Sequence, residues 1–202
     1  ELIRLARPIH WVKNASLFAA LIFGGLLFEK DLFLRTFFAF CSFNLAASAT
    51  YVFNDILDVK QDQQHPIKRN RPIARGSVPV SLALIYAALL ATVALGSALL
   101  LSPIFFLILT GYSLLQIAYS LFLKNLHIID ILIIASGFVI RVYAGALVID
   151  AHLSVWFLLC VISAALFLAS GKRRAELSVV ESPSQTRKSL TKYSRELLNS
   201  YV

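Results

Sequence analysis

Residues 36–62 read TFFAFCSFNLAASATYVFNDILDVKQD. A charge-free apolar run, Thr36–Phe53, leads directly into Asn54-Asp55-Ile56-Leu57-Asp58-Val59-Lys60-Gln61-Asp62. About 20 apolar residues cross the hydrocarbon of a bilayer as a helix, with a tolerance of a few, so the run reads as a membrane span. Strands would need period-two alternation with turns about every ten residues, and the run shows neither. The three carboxylates that follow lie three and four residues apart, the spacing of neighbours on one helix face. Acids at the carboxyl end of a helix oppose its dipole, so a merely solvated helix end is the weaker explanation. Acids on one face repel one another unless a cation sits between them. Hard oxygen ligands suit Mg²⁺, which keeps waters and is completed by substrate phosphates. Asn54, Asp55, Asp58 and Asp62 are therefore the expected metal ligands, with Asp58 and Asp62 carrying catalysis.

The rest of the chain agrees with a membrane setting. Its 202 residues are 58% hydrophobic, and the mean hydropathy is +0.76. Six apolar segments are expected to span: Ala15–Phe28, Thr36–Phe53, Val80–Leu101, Ile104–Leu123, Ile128–Ile149 and Leu153–Ser170. The fold class is thus an all-α polytopic bundle. Residues 1–202 are expected to form a single transmembrane domain, incomplete at its carboxyl end, with 58–79 as a cytoplasmic active-site loop. Sixteen of the nineteen Lys and Arg lie in Glu1–Asn14, Asp58–Pro79, Lys124 and the tail from Lys172. By the positive-inside rule, those parts face the cytoplasm, and Lys30, Arg35 and Asp150 face the other side. This bias accounts for the net charge of +8, and a nucleic-acid partner is not expected. No cleavable signal peptide stands out. Cys41 and Cys160 lie within apolar segments and give no disulfide framework. The absence of Met, even at the first position, points to residues preceding Glu1.

Two further groups carry chemistry. His65, Lys68 and Arg71 follow the acids within a Pro-interrupted stretch, His65-Pro66-Ile67-Lys68-Arg69-Asn70-Arg71-Pro72. Pro disfavours helix at the residue before it, so the helix should stop near His65. Lys68 and Arg71, placed i and i+3, are expected to bind an anion; for His65 a capping role is equally open. The last group comprises Tyr119, Lys124, Asn125, Asp130 and Arg141. Asp130 and Arg141 are eleven residues apart, close to three turns, on one stripe with Ile134, Gly137 and Gly145. They are too far apart, about 16 Å, to pair directly. A charge near mid-helix costs about 2.5–3.5 kcal/mol on the insertion scale, which favours a functional role for Arg141 over an ordinary buried pair. Trp11 and Trp156 fit interface anchors.

The pattern Asn54-Asp55-x-x-Asp58-x-x-x-Asp62 followed by Arg71-Pro72 resembles the first signature of the UbiA superfamily of intramembrane prenyltransferases. Within it, several features are similar to the decaprenyl-phosphate phosphoribosyltransferase branch: Arg7-Pro8-Ile9-His10-Trp11-Val12-Lys13-Asn14, His65-Pro66-x-Lys68-x-x-Arg71-Pro72-Ile73-Ala74, Tyr119-Ser120 with Lys124, Ile129-Asp130, Gly137-Phe138-x-x-Arg141 and Gly171-Lys172-Arg173-Arg174-x-Glu176. The resemblance implies transfer of a 5-phosphoribosyl group from phosphoribosyl diphosphate to a polyprenyl phosphate. The magnesium would be held at the acids, and Lys13, His65, Lys68, Arg71, Tyr119, Lys124, Asp130 and Arg141 would bind substrate. It further implies a bacterial-type inner-membrane enzyme whose active site faces the cytoplasm, surrounded by membrane lipids and compatible with a homo-oligomer. There are two departures. Asp130 stands alone where the superfamily has a second Asp-rich motif, and nine spans are implied where six are visible. An intramembrane aromatic prenyltransferase using a polyprenyl diphosphate stays open as an alternative. So does an ion or phosphate transporter, although transporter sites lie near the midplane on broken helices.

Overall fold

The computed structural model describes residues 1–126 and 128–179; their regular structure is all helical, with turns and irregular loops between the helices and no strand among the described residues. The elements are α1 (Leu2–Ala6), a 3-10 helix (Pro8–Phe18), α2 (Ala19–Phe23), α3 (Lys30–Leu57), α4 (Val59–Gln64), a 3-10 turn (Lys68–Asn70), α5 (Val80–Leu101), α6 (Pro103–Leu121), a second 3-10 turn (Leu123–Asn125), α7 (Ile129–Val148) and α8 (Val155–Val179). The tail beyond Val179, expected on the cytoplasmic side, lies outside the described residues.

Among the described residues, five helices are long and apolar enough to cross a membrane: α3, α5, α6, α7 and the Val155–Lys172 part of α8. The chain is therefore an integral membrane protein. The expected first span, Ala15–Phe28, does not form a sixth such helix. Its start is wound into the 3-10 helix that begins at Pro8, and α2 stops at Phe23. Gly24 and Gly25 end it, and Gly25 has φ +70°, a left-handed conformation open to glycine because it has no Cβ. Between α5 and α6 the turn is as tight as expected: Ser102 alone, extended at φ −168° and ψ 135°, separates Leu101 from Pro103.

The residues divide into two compact units, Glu1–Ile117 with Arg141–His152, and Ala118–Ile140 with the helix that follows Leu153. In the first, α3 packs chiefly on α5. The faces of α3 differ by side-chain size rather than by apolarity. Ala39, Ser42, Ala46, Ala47, Ser48 and Ala49 are buried, while Phe33, Leu34, Phe37 and Phe38 point outward. On α5, Ala83, Ala87, Ala94 and Ala98 are buried and Leu82, Leu84, Ile85, Leu89 and Val93 are exposed. Lipid is as apolar as leucine, so helices associate in membranes through close packing of small residues. At one end, Leu5, Val52, Ile73, Val78, Ala83 and Ala87 form a common core. The loop 58–79 is thus folded onto the helices by its own apolar residues. In the second unit, Ile131, Ala135, Ala165 and Ala169 pack α7 against α8.

Candidate active site

The acidic motif does not lie on one unbroken helix. α3 ends at Leu57, Asp58 takes φ −93° and ψ 6°, and α4 starts at Val59. α4 then stops at His65, which is extended ahead of Pro66, as expected. The break separates the roles of the acids. Asp55 and Asp62 are 2% and 3% exposed and share one cation: Arg71 Nη1 donates to Asp55 Oδ1 at 3.1 Å and to Asp62 Oδ2 at 2.6 Å. Arg7 Nη2 donates to the same Asp55 oxygen. Asp58, half-buried, instead accepts a hydrogen bond from Asn54 Nδ2 at 3.0 Å. Buried carboxylates persist only when paired and hydrogen-bonded, and the two guanidiniums supply this.

Arg71 is held in place by the loop that carries it. Its carbonyl accepts from Arg75 N at 3.0 Å, and Pro72 O accepts from both Val78 N at 3.2 Å and Ser77 Oγ at 3.0 Å. Gln63 Nε2 reaches Ala74 O at 3.2 Å, tying the turn to α4. His65 serves the same loop: its Nδ1 accepts from the backbone N–H of Ile67 and Lys68 at 3.2 and 3.3 Å. This is the capping role left open by the sequence. Desolvation first, then the Lys68 charge, holds the imidazole below its usual range, with Asp62 opposing and Arg71 adding to the effect. Protonation of Nδ1 removes the acceptor. A His whose folded pKa is depressed favours the neutral form, so its contribution is complete above about pH 6.5, the ordinary value. It is lost as pH falls through the lower folded value. Amide hydrogen exchange at Ile67 and Lys68, corrected for intrinsic rates, should therefore be faster at pH 5 than at pH 7.5. Equal protection at both would refute this role.

The amino-terminal segment joins the site along α3. Asn44, Ser48, Tyr51 and Asp55 recur at helical spacing, and each meets a residue from Arg7–Asn14. Asn14 Nδ2 donates to Asn44 Oδ1 at 2.7 Å, and Trp11 Nε1 donates to Ser48 Oγ at 3.0 Å. The Arg7 guanidinium lies 5.5 Å from the Tyr51 ring centroid before it reaches Asp55. Trp11 is thereby bonded to α3, while Trp156 is exposed. Deepest in this ladder, Arg141 donates through Nε to Asn14 Oδ1 at 2.5 Å and through Nη2 to Tyr112 Oη at 2.7 Å. Its guanidinium also lies 4.9 and 5.5 Å from the Tyr112 and Phe43 rings. Lys13 is exposed, yet its ammonium is pushed below the usual lysine value by desolvation first and by the Arg141 and Arg7 charges second.

The structure thus brings Asp55, Asp62 and Arg71 together, with Asn54, Asp58, His65 and Lys68 in the same loop region. It does not gather Arg141 with them. Arg141 is bonded at the Asn44 level, eleven residues before Asp55, or about 16 Å along α3. Tyr119, Lys124 and Asp130 belong to the second unit, where Lys124 and Asp130 are buried at 8% and 0% exposure and Tyr119 is half-buried. Arg7, Asn14, Asn44 and Tyr112 were not singled out from the sequence as site residues. The signal for Asn44 was available: it precedes Asp55 by eleven residues, the same three-turn relation read between Asp130 and Arg141.

The oxygen-only donor set of Asn54, Asp55, Asp58 and Asp62 fits a hard divalent cation. As placed, however, no three acidic, His or Cys side chains converge on one point among the described residues. The Arg71 guanidinium supplies the positive charge between Asp55 and Asp62.

Comparison with known proteins places these features among relatives. A model described as the UbiA prenyltransferase family matches residues 15–173. A decaprenyl-phosphate phosphoribosyltransferase of Mycolicibacterium smegmatis is 40% identical over 202 residues, taking in 98% of this chain and 64% of that protein. One from Mycobacterium tuberculosis is 38% identical over 201 residues, or 97% of this chain and 67% of that protein. The chain therefore spans about two thirds of the length of these relatives. A solved structure of a UbiA homolog from Archaeoglobus fulgidus, bound to GPP and Mg²⁺, superposes with a TM-score of 0.81 over 99% of this chain and 72% of that one, at 19% identity. At that identity the likeness shows the shared fold.

Proposed function

The chain belongs to the UbiA prenyltransferase family, and from that premise we propose that it is a membrane-embedded phosphoribosyltransferase. It moves a 5-phosphoribosyl group from phosphoribosyl diphosphate to a polyprenyl phosphate and releases diphosphate. The names of the relatives at 38–40% identity support this reading. The observation that carries it is the Arg7–Asp55–Arg71–Asp62 chain of charges at the end of a membrane helix.

Asn54, Asp55, Asp58 and Asp62 are the residues that would hold Mg²⁺. When bound, the ion would neutralise charge that builds on the departing diphosphate. Arg7 and Arg71 present planar forks suited to phosphate oxygens, and Lys68, three residues before Arg71 in the loop, adds a point charge. His65 keeps the Lys68 turn in shape. Arg7, Lys13, Lys68 and Arg71 place four cations on one unit, more than one metal-neutralised diphosphate requires. This surplus favours a donor carrying a separate second phosphate. The acceptor phosphate is already an anionic nucleophile, so direct displacement needs no general base. Its polyprenyl tail would lie among the apolar helices. The orientation belongs to the same reading: the 58–79 loop faces the cytoplasm across a bacterial-type inner membrane.

One assay tests both parts. Labelled phosphoribosyl diphosphate, Mg²⁺ and polyprenyl phosphate are supplied to vesicles of defined sidedness. Label should enter the lipid phase in inside-out vesicles and stay out of it in sealed right-side-out ones. Transfer only in right-side-out vesicles would reverse the orientation. No transfer in either, together with prenylation of an aromatic acid by the same preparation, would replace the phosphoribosyl reading with the aromatic one.

A further inference from the structure

The layering of charge in the site has a consequence for the order in which ligands enter. Asp55 and Asp62 are closed off, with side chains 2% and 4% exposed, whereas Arg7 and Arg71 are 19% and 24% exposed. A ligand arriving from outside meets guanidinium before it meets carboxylate. The Arg71 bridge is made by a single nitrogen, which touches both acids at once, and Arg7 adds a second cation to the oxygen of Asp55 that Arg71 uses. Taken as a group, these four side chains are electrically balanced.

We propose that Arg7 and Arg71 keep Asp55 and Asp62 closed to a divalent cation, and that both arginines exchange these acids for the oxygens of a diphosphate, so that cation and diphosphate enter together. The proposal rests on the reading of the site as a metal–diphosphate site. A divalent cation entering alone must displace a guanidinium from a buried carboxylate and leave the group with excess positive charge. A diphosphate entering alone must approach two buried carboxylates. When both enter, each guanidinium moves from carboxylate to phosphate and keeps a charged, forked partner, while the freed carboxylates face the cation. The anchoring of the arginines allows this. Arg71 sits at the extended end of a 3-10 turn, φ −64° and ψ 145°. Arg7 is the junction between α1 and the following 3-10 helix. Neither guanidinium is fixed by the body of a long helix.

The test is Mn²⁺ binding to the full-length protein in detergent, measured by equilibrium dialysis with electron paramagnetic resonance. The same concentration of inorganic diphosphate, or none, is present on both sides. Wild type should retain Mn²⁺ at least about tenfold more tightly with diphosphate, within the usual range of coupling between sites. Without diphosphate, Arg71→Gln should bind Mn²⁺ about tenfold more tightly than wild type. Arg71→Lys keeps the charge but carries its nitrogen one bond nearer the backbone than Nη1, which loosens the bridge to both acids, and should also bind more tightly, by about threefold. Arg69→Gln removes an exposed charge from the same turn and should stay within about twofold of wild type. If both Arg71 variants match wild type without diphosphate, or if Arg69→Gln tightens binding as much as Arg71→Gln, the exchange is overturned and the metal site stands. If no variant retains Mn²⁺ under either condition, the exchange and the metal-site reading fail together. Inorganic diphosphate is the leaving group of either donor class, so the result does not depend on which donor is used.

Discussion

Asp62→Asn should lower transfer of a labelled phosphoribosyl group by at least about 10²-fold, the scale of losing one charged stabiliser from a water-poor site. The change removes a formal charge and almost no volume. Asp62 is 3% exposed and lies 2.6 Å from Arg71 Nη1, so its charge acts where water screens little. A neutral amide there would weaken the grip on a divalent cation. It would also leave Arg71 with Asp55 as its only carboxylate in the bridge. Asp58→Asn is expected to fall by a similar factor for a different reason. Asp58 sits at the helix break and accepts from Asn54 Nδ2, so the amide would disturb the pair as well as remove charge. Single-turnover transfer, with circular dichroism to verify the helices, is the measurement. Near-normal Mg²⁺-dependent transfer in both variants would remove these acids from the site.

The largest loss of stability is expected from Gly145→Ala. A Cβ built at Gly145 would overlap the Leu17 carbonyl oxygen and come within 2.9 Å of Leu17 Cα. The obstacle is backbone, so no side-chain rotation can relieve it. Overpacking of ordinary cores costs about 1–3 kcal/mol and sometimes more; this substitution should cost about 3 kcal/mol or above. The displacement would also spread. Leu17 lies three residues after Asn14, and Asn14 links Arg141 to Asn44, so moving the segment would leave buried polar groups without their partners. Gly96→Ala and Gly111→Ala are the controls, because a Cβ at either meets nothing within 4 Å. Helix propensity should make them neutral or stabilising by up to about 1 kcal/mol. Thermal unfolding in one detergent should rank Gly145→Ala far below wild type and the controls at or above it. A Gly145→Ala protein that melts with wild type would show that the α7 backbone and the 3-10 segment are not in close contact.

What the sequence determined by itself follows from local physics. The length and apolarity of 80–101, 104–123 and 128–149 each specify a helix across the bilayer, because backbone polar groups in lipid must be satisfied within the segment. Pro66 stopped α4 at His65, and Pro103 left a one-residue turn, for equally local reasons. The stripe containing Arg141 and Gly145 was legible from the 3.6-residue period alone. Three features were not. The break at Asp58 depends on a folded 58–79 loop whose Ile73 and Val78 pack with Leu5 and Val52, contacts made between residues distant in sequence. The first apolar segment, too short for an ordinary span, became a 3-10 helix and one α-helical turn. Last, the pairing of Arg7 with Asp55 joins residues 48 positions apart. Spacing can place acids on a face, but only the tertiary structure decides which cation reaches them, because a buried charge is held by whatever partner the fold brings within hydrogen-bonding distance.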